Sequence, residues 1–485
     1  MTMTYRPSYD TVILGAGLGG LVTGAILARG GSKVLVLEEK SYPGGVCTIA
    51  HPDGYTFVRG PALLLGLEKD GYCDQLFSEL GLSLAMLKRA GGLLKRPAPF
   101  LQIVTERYRI NLEVSRGEQL AEYKREWGGT VGAFQQFYRD LDVLDGLVYP
   151  FFYKKHLPGS AMPLWDRLRK IRQGLRRRWM THVHSNLSSQ KYLSRYPLPQ
   201  DFLKALEFLS LLWCGSSLGQ NSALELLIQQ ALSSREVIRP VGGMVKLCEV
   251  LAKIFLENRG EIRYQQGVTS MRRESRTDWA ITLMSGEEFH TRQLVVHLPW
   301  ELLVPKDYGM LTFFFALDAQ VVPSSMSEQL ILCRTREHSE EQSLRLENLL
   351  FIVMSLSEEE RAYEKKRLMM VSALFPHGSP PTEPAVRQLL HGVIKQLHWL
   401  MPFSEGKIQY VGNDEPDRQA QAQRMAKARP FLKHLRHIRR RHIEYAYPRF
   451  DQGLFFLPDH GSGMGMLSTE VRSAEEIAKR IIKCR

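Results

Sequence analysis

The segment that most constrains the fold of this chain is "TVILGAGLGGLVTGAILARGG", residues 11–31. "TVIL" is a short β-branched and aliphatic run of the kind that forms a buried parallel strand, and "LVTGAILARG" has the apolar spacing of a helix that ends at Gly30 and Gly31. Between them lies the turn "GAGLGG". The segment therefore predicts a strand, a tight turn and a helix, which is the unit that opens a doubly wound α/β fold.

The three glycines of this GxGxxG pattern each have a separate physical role. Gly15 permits the tight turn, Gly17 lets the backbone approach a pyrophosphate, and Gly20 lets the helix pack closely on the strand. The N-terminus of the helix offers unpaired N–H groups and the positive end of its dipole. A second predicted strand, "KVLVLE", ends at Glu38, 21 residues after Gly17, where a carboxylate can accept hydrogen bonds from both ribose hydroxyls. These residues predict a dinucleotide site and leave open whether a nicotinamide or a flavin binds there.

The residues that follow Glu38 favour a flavin over a nicotinamide as the bound nucleotide. "EEKSYPGG" followed by "GYTFVRGPALLLG" resembles the start of the FAD-dependent phytoene desaturase and carotenoid isomerase family, within the amine-oxidase-like flavoprotein superfamily. The resemblance implies that a glycine pair, Gly44 and Gly45, and a downstream Gly60 and Pro61 line the flavin side of the pocket.

Two later segments continue the resemblance in the same order. The segment "RPVGGMVKLCEVLAKIFLENRGEIRYQQGVTSM", residues 239–271, resembles the block in which a glycine turn opens a helix and a valine, here Val268, meets the adenine. The segment "QGLFFLPDHGSGMGMLSTEVRSAEEIAKRII" resembles the closing block, in which an Asp, here Asp459, reaches the ribityl and pyrophosphate region. A simple nicotinamide domain does not need the closing block, so the three blocks together imply a resident FAD.

The predicted cofactor-binding residues lie in or beside these blocks. They are Gly15, Gly17, Leu18, Gly19, Gly20, Glu38, Glu39, Gly44, Gly45, Val46, Gly60, Pro61, Val268, Asp459 and Met466. Glu39 is the alternative to Glu38 as the ribose acid. No catalytic side chain or metal ligand is predicted, because the flavin itself carries hydride or electron transfer. Two further residues have open roles: His460 is near the cofactor or structural, and Arg59 balances the charge of reduced flavin or forms a salt bridge elsewhere.

The predicted fold class is α/β, with a Rossmann-like FAD-binding domain built on a doubly wound, mostly parallel sheet and a second α+β substrate domain inserted into it. The insertions contain a helical stretch, "PAVRQLLHGVIKQLHWL", and strand candidates, "GMLTFFFALD" and "LLFIVMSL". The predicted FAD-binding domain comprises residues 8–109, 235–300 and 441–485, and the substrate domain comprises residues 110–234 and 301–440.

Three functions are compatible with these motifs. The resemblance implies an FAD-dependent oxidoreductase acting on carbon–carbon bonds of an apolar isoprenoid or carotenoid-like lipid, by desaturation, saturation or flavin-assisted isomerisation. The second is a non-redox prenyl-lipid binding or escort protein on the same fold, like the Rab GDP-dissociation inhibitors, against which the intact Glu38 and Asp459 argue. The third is a flavin amine oxidase, which is less favoured because no aromatic cage is identifiable. No nucleic-acid-binding module is recognised.

Composition bears on where the protein works. The 485-residue chain has a formal net charge of +13, which favours an anionic partner: nucleic acid, an acidic protein or an anionic membrane surface. Neither a signal peptide nor a membrane-spanning run is predicted. The six cysteines lack metal-site spacing, so we expect them to be reduced and structural, with some reservation for Cys47 near the expected cofactor. We therefore expect a cytoplasmic protein.

A basic amphipathic segment, "MPLWDRLRKIRQGLRRRWM", residues 162–180, predicts contact with a membrane. Its apolar residues recur at steps of four, three, four and four and so share one helical face; they are Leu164, Leu168, Ile171, Leu175 and Trp179. Seven Arg and Lys residues crowd the remaining surface, which is the composition of a helix lying in a membrane interface. The alternative is a surface helix with a solvated basic face. The first interpretation predicts peripheral association with an anionic membrane.

Overall fold

The computed structural model describes residues 8–45, 47–60, 62–89, 91–152, 184, 186–214, 217–275, 278–299, 308–333, 349–355, 366–376, 382–414, 450–451, 453–459 and 467–483. The predicted basic helix at residues 162–180 lies outside these described residues. So do four residues placed near the predicted cofactor: Val46, Pro61, His460 and Met466.

The described chain contains twenty strands and eleven α-helices. The strands are β1 (Ser8–Leu14), β2 (Val34–Leu37), β3 (Thr48–Ala50), β4 (Phe57–Arg59), β5 (Leu64–Leu65), β6 (Leu94–Lys95), β7 (Leu101–Val104), β8 (Arg109–Leu112), β9 (Val237–Pro240), β10 (Glu261–Arg263), β11 (Val268–Arg273), β12 (Trp279–Leu283), β13 (Glu288–Pro299), β14 (Tyr308–Asp318), β15 (Gln329–Cys333), β16 (Leu349–Met354), β17 (Lys366–Pro376), β18 (Ile408–Asn413), β19 (Phe450–Asp451) and β20 (Leu454–Asp459). The helices are α1 (Leu18–Arg29), α2 (Tyr72–Glu79), α3 (Leu84–Leu87), α4 (Arg116–Trp127), α5 (Val131–Phe152), α6 (Ser189–Leu193), α7 (Gln200–Cys214), α8 (Ala223–Ser233), α9 (Gly243–Glu257), α10 (Glu383–Leu400) and α11 (Leu467–Lys483).

The first sheet carries the glycine-rich turn. Its strand order is β10-β2-β1-β13-β12-β11. Strand β20 pairs with the carboxyl-terminal half of β13, and β19 pairs with β20. The pairs β10–β2, β2–β1, β1–β13 and β13–β20 are parallel, whereas β11, β12 and β13 form an antiparallel meander. The predicted doubly wound, mostly parallel sheet is therefore confirmed. The strands β1, β2, β10 and β20 of its parallel core come from the three sequence blocks, whereas β13, which pairs with β1 and β20, lies outside them.

Helix α1 is buried between the sheet and two other helices. It packs against α9 and α11, and small residues make these approaches close: a Cβ at Gly24 would lie 3.1 Å from the Phe255 ring of α9. The Thr23 hydroxyl donates to the carbonyl of Gly19 at 2.8 Å, which satisfies a buried polar atom within the helix. The near-complete burial of α1 explains why its sequence is apolar on all sides rather than amphipathic.

A second sheet of seven strands has the order β18-β14-β17-β16-β15-β7-β8. Its neighbours are antiparallel apart from β15 and β7. Helix α10 covers one face of this sheet, with Val393 and Leu397 fully buried in the shared core. The predicted helix and the two predicted strands of the insertion are thus confirmed as α10, β14 and β16. The predicted domain boundary after residue 109 falls inside the β7–β8 hairpin of this sheet, and the domain division itself stays a prediction.

A helical layer completes the described part of the chain. Helices α4 to α8 pack around an aromatic core against β7 and β8, where Tyr123 stacks on Phe134 with ring centroids 4.1 Å apart. Ser222 and Glu225 form a capping box at the start of α8, which fixes where that helix begins. Among the described helices, none has the length and low charge needed to cross a bilayer.

Candidate functional site

The predicted site residues converge at one edge of the first sheet. Strands β1, β2, β13 and β20 run parallel, so their carboxyl ends meet there, with Leu14 beside Leu37 and Pro299 beside Asp459. In open α/β sheets this edge is where ligands bind. Strand order thus brings residues near 15, 38, 297 and 459 to one place.

The glycine-rich turn has the backbone geometry that the sequence predicts. Gly15 has a φ of +105°, and its N–H donates to the carbonyl of Leu37 at 2.8 Å. A Cβ at Gly20 would lie 2.2 Å from the carbonyl oxygen of Gly15, so a side chain at position 20 would force the helix off the turn. Gly15 and Gly20 are therefore required for the turn and for the close packing of α1.

Glu38 lies directly after β2, and both of its carboxylate oxygens hold the turn. One oxygen accepts a hydrogen bond from the N–H of Ala16 at 2.7 Å, and the other accepts from the N–H of Lys40 at 2.9 Å. Glu38 is only 5% exposed, whereas Glu39 is exposed. The structure thus favours Glu38 over Glu39 as the acid of the site.

The glycine pair folds back onto the turn. The N–H of Gly44 donates to the carbonyl of Ala16 at 3.0 Å, and a Cβ at Gly45 would lie 3.0 Å from the Cα of Gly17. The ammonium of Lys40 donates to the carbonyl of Gly45. The backbone of Gly44 and Gly45 therefore packs directly against the backbone of the glycine turn, with no side chain of either glycine between them.

Gly60 lies against the same loop. It has a φ of +134°, and a Cβ there would lie 2.7 Å from the Sγ of the buried Cys47. The four cysteines whose side chains the structure describes are buried, and none of these four is in a disulfide; they are Cys47, Cys73, Cys248 and Cys333. These four agree with the expectation of reduced, structural cysteines.

The loop that precedes Val268 lies beside Glu38. The N–H of Gln266 donates to the carbonyl of Glu38 at 2.9 Å, and the N–H of Gln265 donates to the carbonyl of Lys40 at 3.0 Å. Val268 follows at the start of β11 and is half-buried. Burial, together with the nearby charge of Glu38, raises the pKa of Tyr264. The predicted adenine residue is thus two positions from a direct contact with the predicted ribose acid.

Asp459 ends β20, two strands from β1 in the same sheet. Its backbone is in register with Pro299, and Leu457 is in register with His297 on the neighbouring strand. The role of Asp459 towards the cofactor stays a prediction.

Two residues that the sequence analysis did not single out lie at the centre of the site. A Cβ at Gly17 would lie 2.6 Å from the Cε1 atom of His297, so the imidazole covers that glycine. Glu470, in the first turn of α11, accepts a hydrogen bond from the N–H of Gly19 at 2.8 Å, and its carboxylate lies 3.4 Å from Nε2 of His297. Two sequence signals could have identified them. His297 is a polar residue at the end of the run "QLVVH", and Glu470 is an acid in the first turn of the last helix.

Arg59 has a partner away from the glycine turn. Its guanidinium forms a salt bridge of 2.8 Å with Asp414, which lies just after β18 in the seven-stranded sheet. Of the two roles that the sequence left open for Arg59, the structure therefore shows the salt bridge.

The arrangement fits a nucleotide that carries a diphosphate. Gly17 and Gly45 bring no side chains to the turn, although the imidazole of His297 covers Gly17, and the buried Glu38 is oriented by two backbone N–H groups close to the loop that precedes Val268. An oxyanion, the Glu470 carboxylate, is bound at the N–H of Gly19, which demonstrates that the start of α1 accepts one.

Comparisons with known proteins agree with this geometry. A family model described as an NAD(P)-binding Rossmann-like domain matches residues 13–80. A phytoene desaturase of Cercospora nicotianae is 45% identical over 79 residues, which cover 16% of this chain and 12% of that protein. A lycopene-forming phytoene desaturase of Pantoea ananas is 26% identical over 305 residues, covering 60% of this chain and 57% of that protein. A chloroplastic prolycopene isomerase of Arabidopsis thaliana is 23% identical over 297 residues, covering 59% and 47%. The chain thus spans less than two thirds of the length of these relatives.

Solved structures resemble the whole chain. A triple mutant of putrescine oxidase superposes with a TM-score of 0.59 at 12% identity and covers 99% of both chains. A Rab GDI of Plasmodium falciparum superposes with a TM-score of 0.56 at 12% identity and covers 98% of both chains. These likenesses show the fold. The chain has the fold of the amine-oxidase-like flavoprotein superfamily, and its relatives in sequence include phytoene desaturases and prolycopene isomerases.

Proposed function

We propose that this protein is an FAD-dependent oxidoreductase that acts on carbon–carbon bonds of an apolar isoprenoid or carotenoid-like lipid, by desaturation, saturation or flavin-assisted isomerisation. The observation that carries the proposal is the buried Glu38 carboxylate, hydrogen-bonded to Ala16 of the glycine turn, in a chain of which 60% aligns with a lycopene-forming phytoene desaturase. The acid, the turn and the later blocks occur in one order and meet at one edge of the sheet.

The residues of this chain would bind and orient the cofactor. FAD supplies hydride or electron transfer when it is bound. Glu38 is held by two backbone N–H groups, and its carboxylate would accept hydrogen bonds from the ribose hydroxyls. The first N–H groups of α1 would bind the diphosphate, and Val268 would meet the adenine. Gly44, Gly45, Gly60 and Pro61 would line the flavin side, and Asp459 would reach the ribityl and pyrophosphate region.

The experiment that tests the cofactor is direct. Purified protein should show the absorbance bands of a flavin, and denaturation should release FAD rather than FMN. A folded protein that takes up no flavin from an excess of FAD would contradict the proposal.

The substrate class is tested by anaerobic titration of the bound flavin. An apolar polyene or isoprenoid should change the flavin spectrum directly, or after prior reduction if the reaction is an isomerisation. Rapid reduction by simple amines and none by lipids would favour an amine oxidase, the class to which the putrescine oxidase with this fold belongs.

A second candidate function is the binding or escort of prenyl lipids without redox chemistry. It is favoured by one observation: the N–H of Gly19, which a diphosphate would need, is taken by the carboxylate of Glu470. Mass spectrometry of lipids that co-purify with the protein separates the two candidates, because the escort would carry a prenyl lipid and no flavin.

We also propose that the protein reaches its lipid at an anionic membrane surface. The basic amphipathic segment at residues 162–180 supports this proposal by its composition alone, because it lies outside the described residues.

A further inference from the structure

The phosphate-binding end of α1 is held by a side chain of the same protein. Glu470 lies in the first turn of α11 and contacts the first turn of α1, where its Oε1 atom accepts the hydrogen bond from the N–H of Gly19. The carboxylate thus lies where the N-termini of two long helices meet. Each N-terminus carries a positive partial charge, so both stabilise the carboxylate in this position.

His297 lies beside the carboxylate on the side of the sheet. Its Nε2 atom lies 3.4 Å from Oε1 of Glu470, and its side chain is only 7% exposed. The same imidazole covers Gly17, where a Cβ would lie 2.6 Å from Cε1 and 2.7 Å from Nδ1. Glu470 and His297 therefore cover two neighbouring parts of the turn: the first N–H groups of the helix and the bare backbone of Gly17.

A dinucleotide needs both of these parts. The diphosphate approaches a glycine turn over its second glycine and accepts hydrogen bonds from the N-terminus of the following helix. A carboxylate and a diphosphate are both anions, and like charges a few ångströms apart in a partly buried site repel strongly. They cannot share the N–H of Gly19.

We infer that Glu470 is an intramolecular competitor for the diphosphate, held in place by its hydrogen bond from the N–H of Gly19. Dinucleotide binding requires the carboxylate to leave the N–H of Gly19, so the cofactor is bound more weakly than the turn alone would allow and is exchangeable rather than permanently resident. Glu470 thus sets the affinity of the site for diphosphate nucleotides. The inference rests on the proposed function, since it assumes that the turn binds a dinucleotide.

The test compares substitutions at two positions of the same helix. Glu470→Gln removes the negative charge and keeps a hydrogen-bond acceptor, Glu470→Ala removes both, and Glu476→Gln makes the same change of charge further along α11. FAD and ADP are titrated into each purified full-length variant and followed by calorimetry, with adenosine as a ligand that lacks phosphates. Circular dichroism and thermal unfolding check that each variant is folded.

We expect both Glu470 substitutions to tighten FAD and ADP by at least about tenfold, which corresponds to removing about 1.4 kcal/mol of repulsion. Adenosine affinity should not change, and Glu476→Gln should bind like the wild type. Equal or weaker FAD binding by folded Glu470 variants, with FAD bound by the wild type, would overturn the inference and leave the proposed function standing. If no folded variant binds FAD or ADP, the inference and the proposed function both fail.

Discussion

The guanidinium of Arg59 forms a salt bridge of 2.8 Å with the carboxylate of Asp414, whose side chain is only 1% exposed. Asp414 also accepts a hydrogen bond from the N–H of Thr312 at 2.9 Å. Arg59 ends β4 and precedes Gly60, whereas Thr312 lies in β14 of the seven-stranded sheet. The pair therefore ties the loop that carries the predicted flavin-side glycine to the second sheet.

Substitution of Arg59 by Met should destabilise the protein by about 2 kcal/mol, because it removes the charged partner of a buried carboxylate. Urea unfolding measures the loss. Arg387→Met is the matched control: Arg387 pairs with Glu383 on the surface of α10, with side chains 77% and 73% exposed, and should change stability by less than about 0.5 kcal/mol. Equal effects of the two substitutions would show that the Arg59 pair contributes no more than an exposed one.

Substitution of Glu38 by Ala should weaken FAD binding by about tenfold to a hundredfold. It removes an acceptor that is predicted to bind the ribose, and hydrogen bonds to charged groups contribute about 1.5–3 kcal/mol each. Flavin retained after gel filtration and FAD titration both report the change. Glu39→Ala is the control, because Glu39 is exposed and should leave FAD binding unchanged. The reverse result would identify Glu39 as the ribose acid.

Alanine substitutions should distinguish a glycine that the fold requires, Gly20, from one that cofactor binding requires, Gly17. Gly20→Ala should unfold or severely destabilise the protein, because its Cβ would lie 2.2 Å from a backbone oxygen that cannot move alone. Gly17→Ala should fold, because the close contacts of its Cβ are with the side chain of His297 and the Cα of Gly45 lies 3.5 Å away, but it should lose FAD since it blocks the approach of the diphosphate. Gly132→Ala in α5, where nothing lies within 4 Å of the added Cβ, is the neutral control. Thermal unfolding and flavin content distinguish the outcomes, and normal flavin content in Gly17→Ala would contradict the assigned role of Gly17.

The buried cysteines should resist alkylation in the native protein. Burial raises the pKa of the Cys333 thiol to about 12, so it stays protonated at pH 8.5, and the thiolate is the reactive form. Burial also raises the pKa of Cys73. Iodoacetamide treatment followed by peptide mass spectrometry should find Cys47, Cys73, Cys248 and Cys333 unmodified until the protein is unfolded. Rapid native labelling of Cys47 would instead mark it as an exposed, reactive thiol of the site.

Replacement of Arg176, Arg177 and Arg178 by Glu should abolish most binding to anionic liposomes while leaving FAD content unchanged. Basic residues near an anionic leaflet contribute roughly 1 kcal/mol each, and the attraction falls with added salt. Vesicle sedimentation at low and high salt measures it, with neutral vesicles as the control. Equal sedimentation of the wild type and the variant would exclude residues 162–180 from membrane docking.

Local sequence determined the strand, turn and helix around Gly15, Gly17 and Gly20, because glycine spacing and apolar periodicity act within a few residues. It also placed Glu38 at the end of β2 and identified the strands and helix that became β14, β16 and α10. These predictions succeeded because each depends on the chain's immediate neighbours and on which face of an element is apolar.

Only the tertiary structure decided what meets the glycine turn. Glu470 is 451 residues from Gly19, and Asp414 is 355 residues from Arg59, so no local pattern relates either pair. The pairing of β13 with β1 brings His297 over Gly17, and the packing of α11 against α1 brings Glu470 to the helix N-terminus. The sequence alone determined the dinucleotide turn. Contacts between distant elements depend on how those elements pack, so the packing of α11 against α1 decided that the carboxylate of Glu470 lies at this turn.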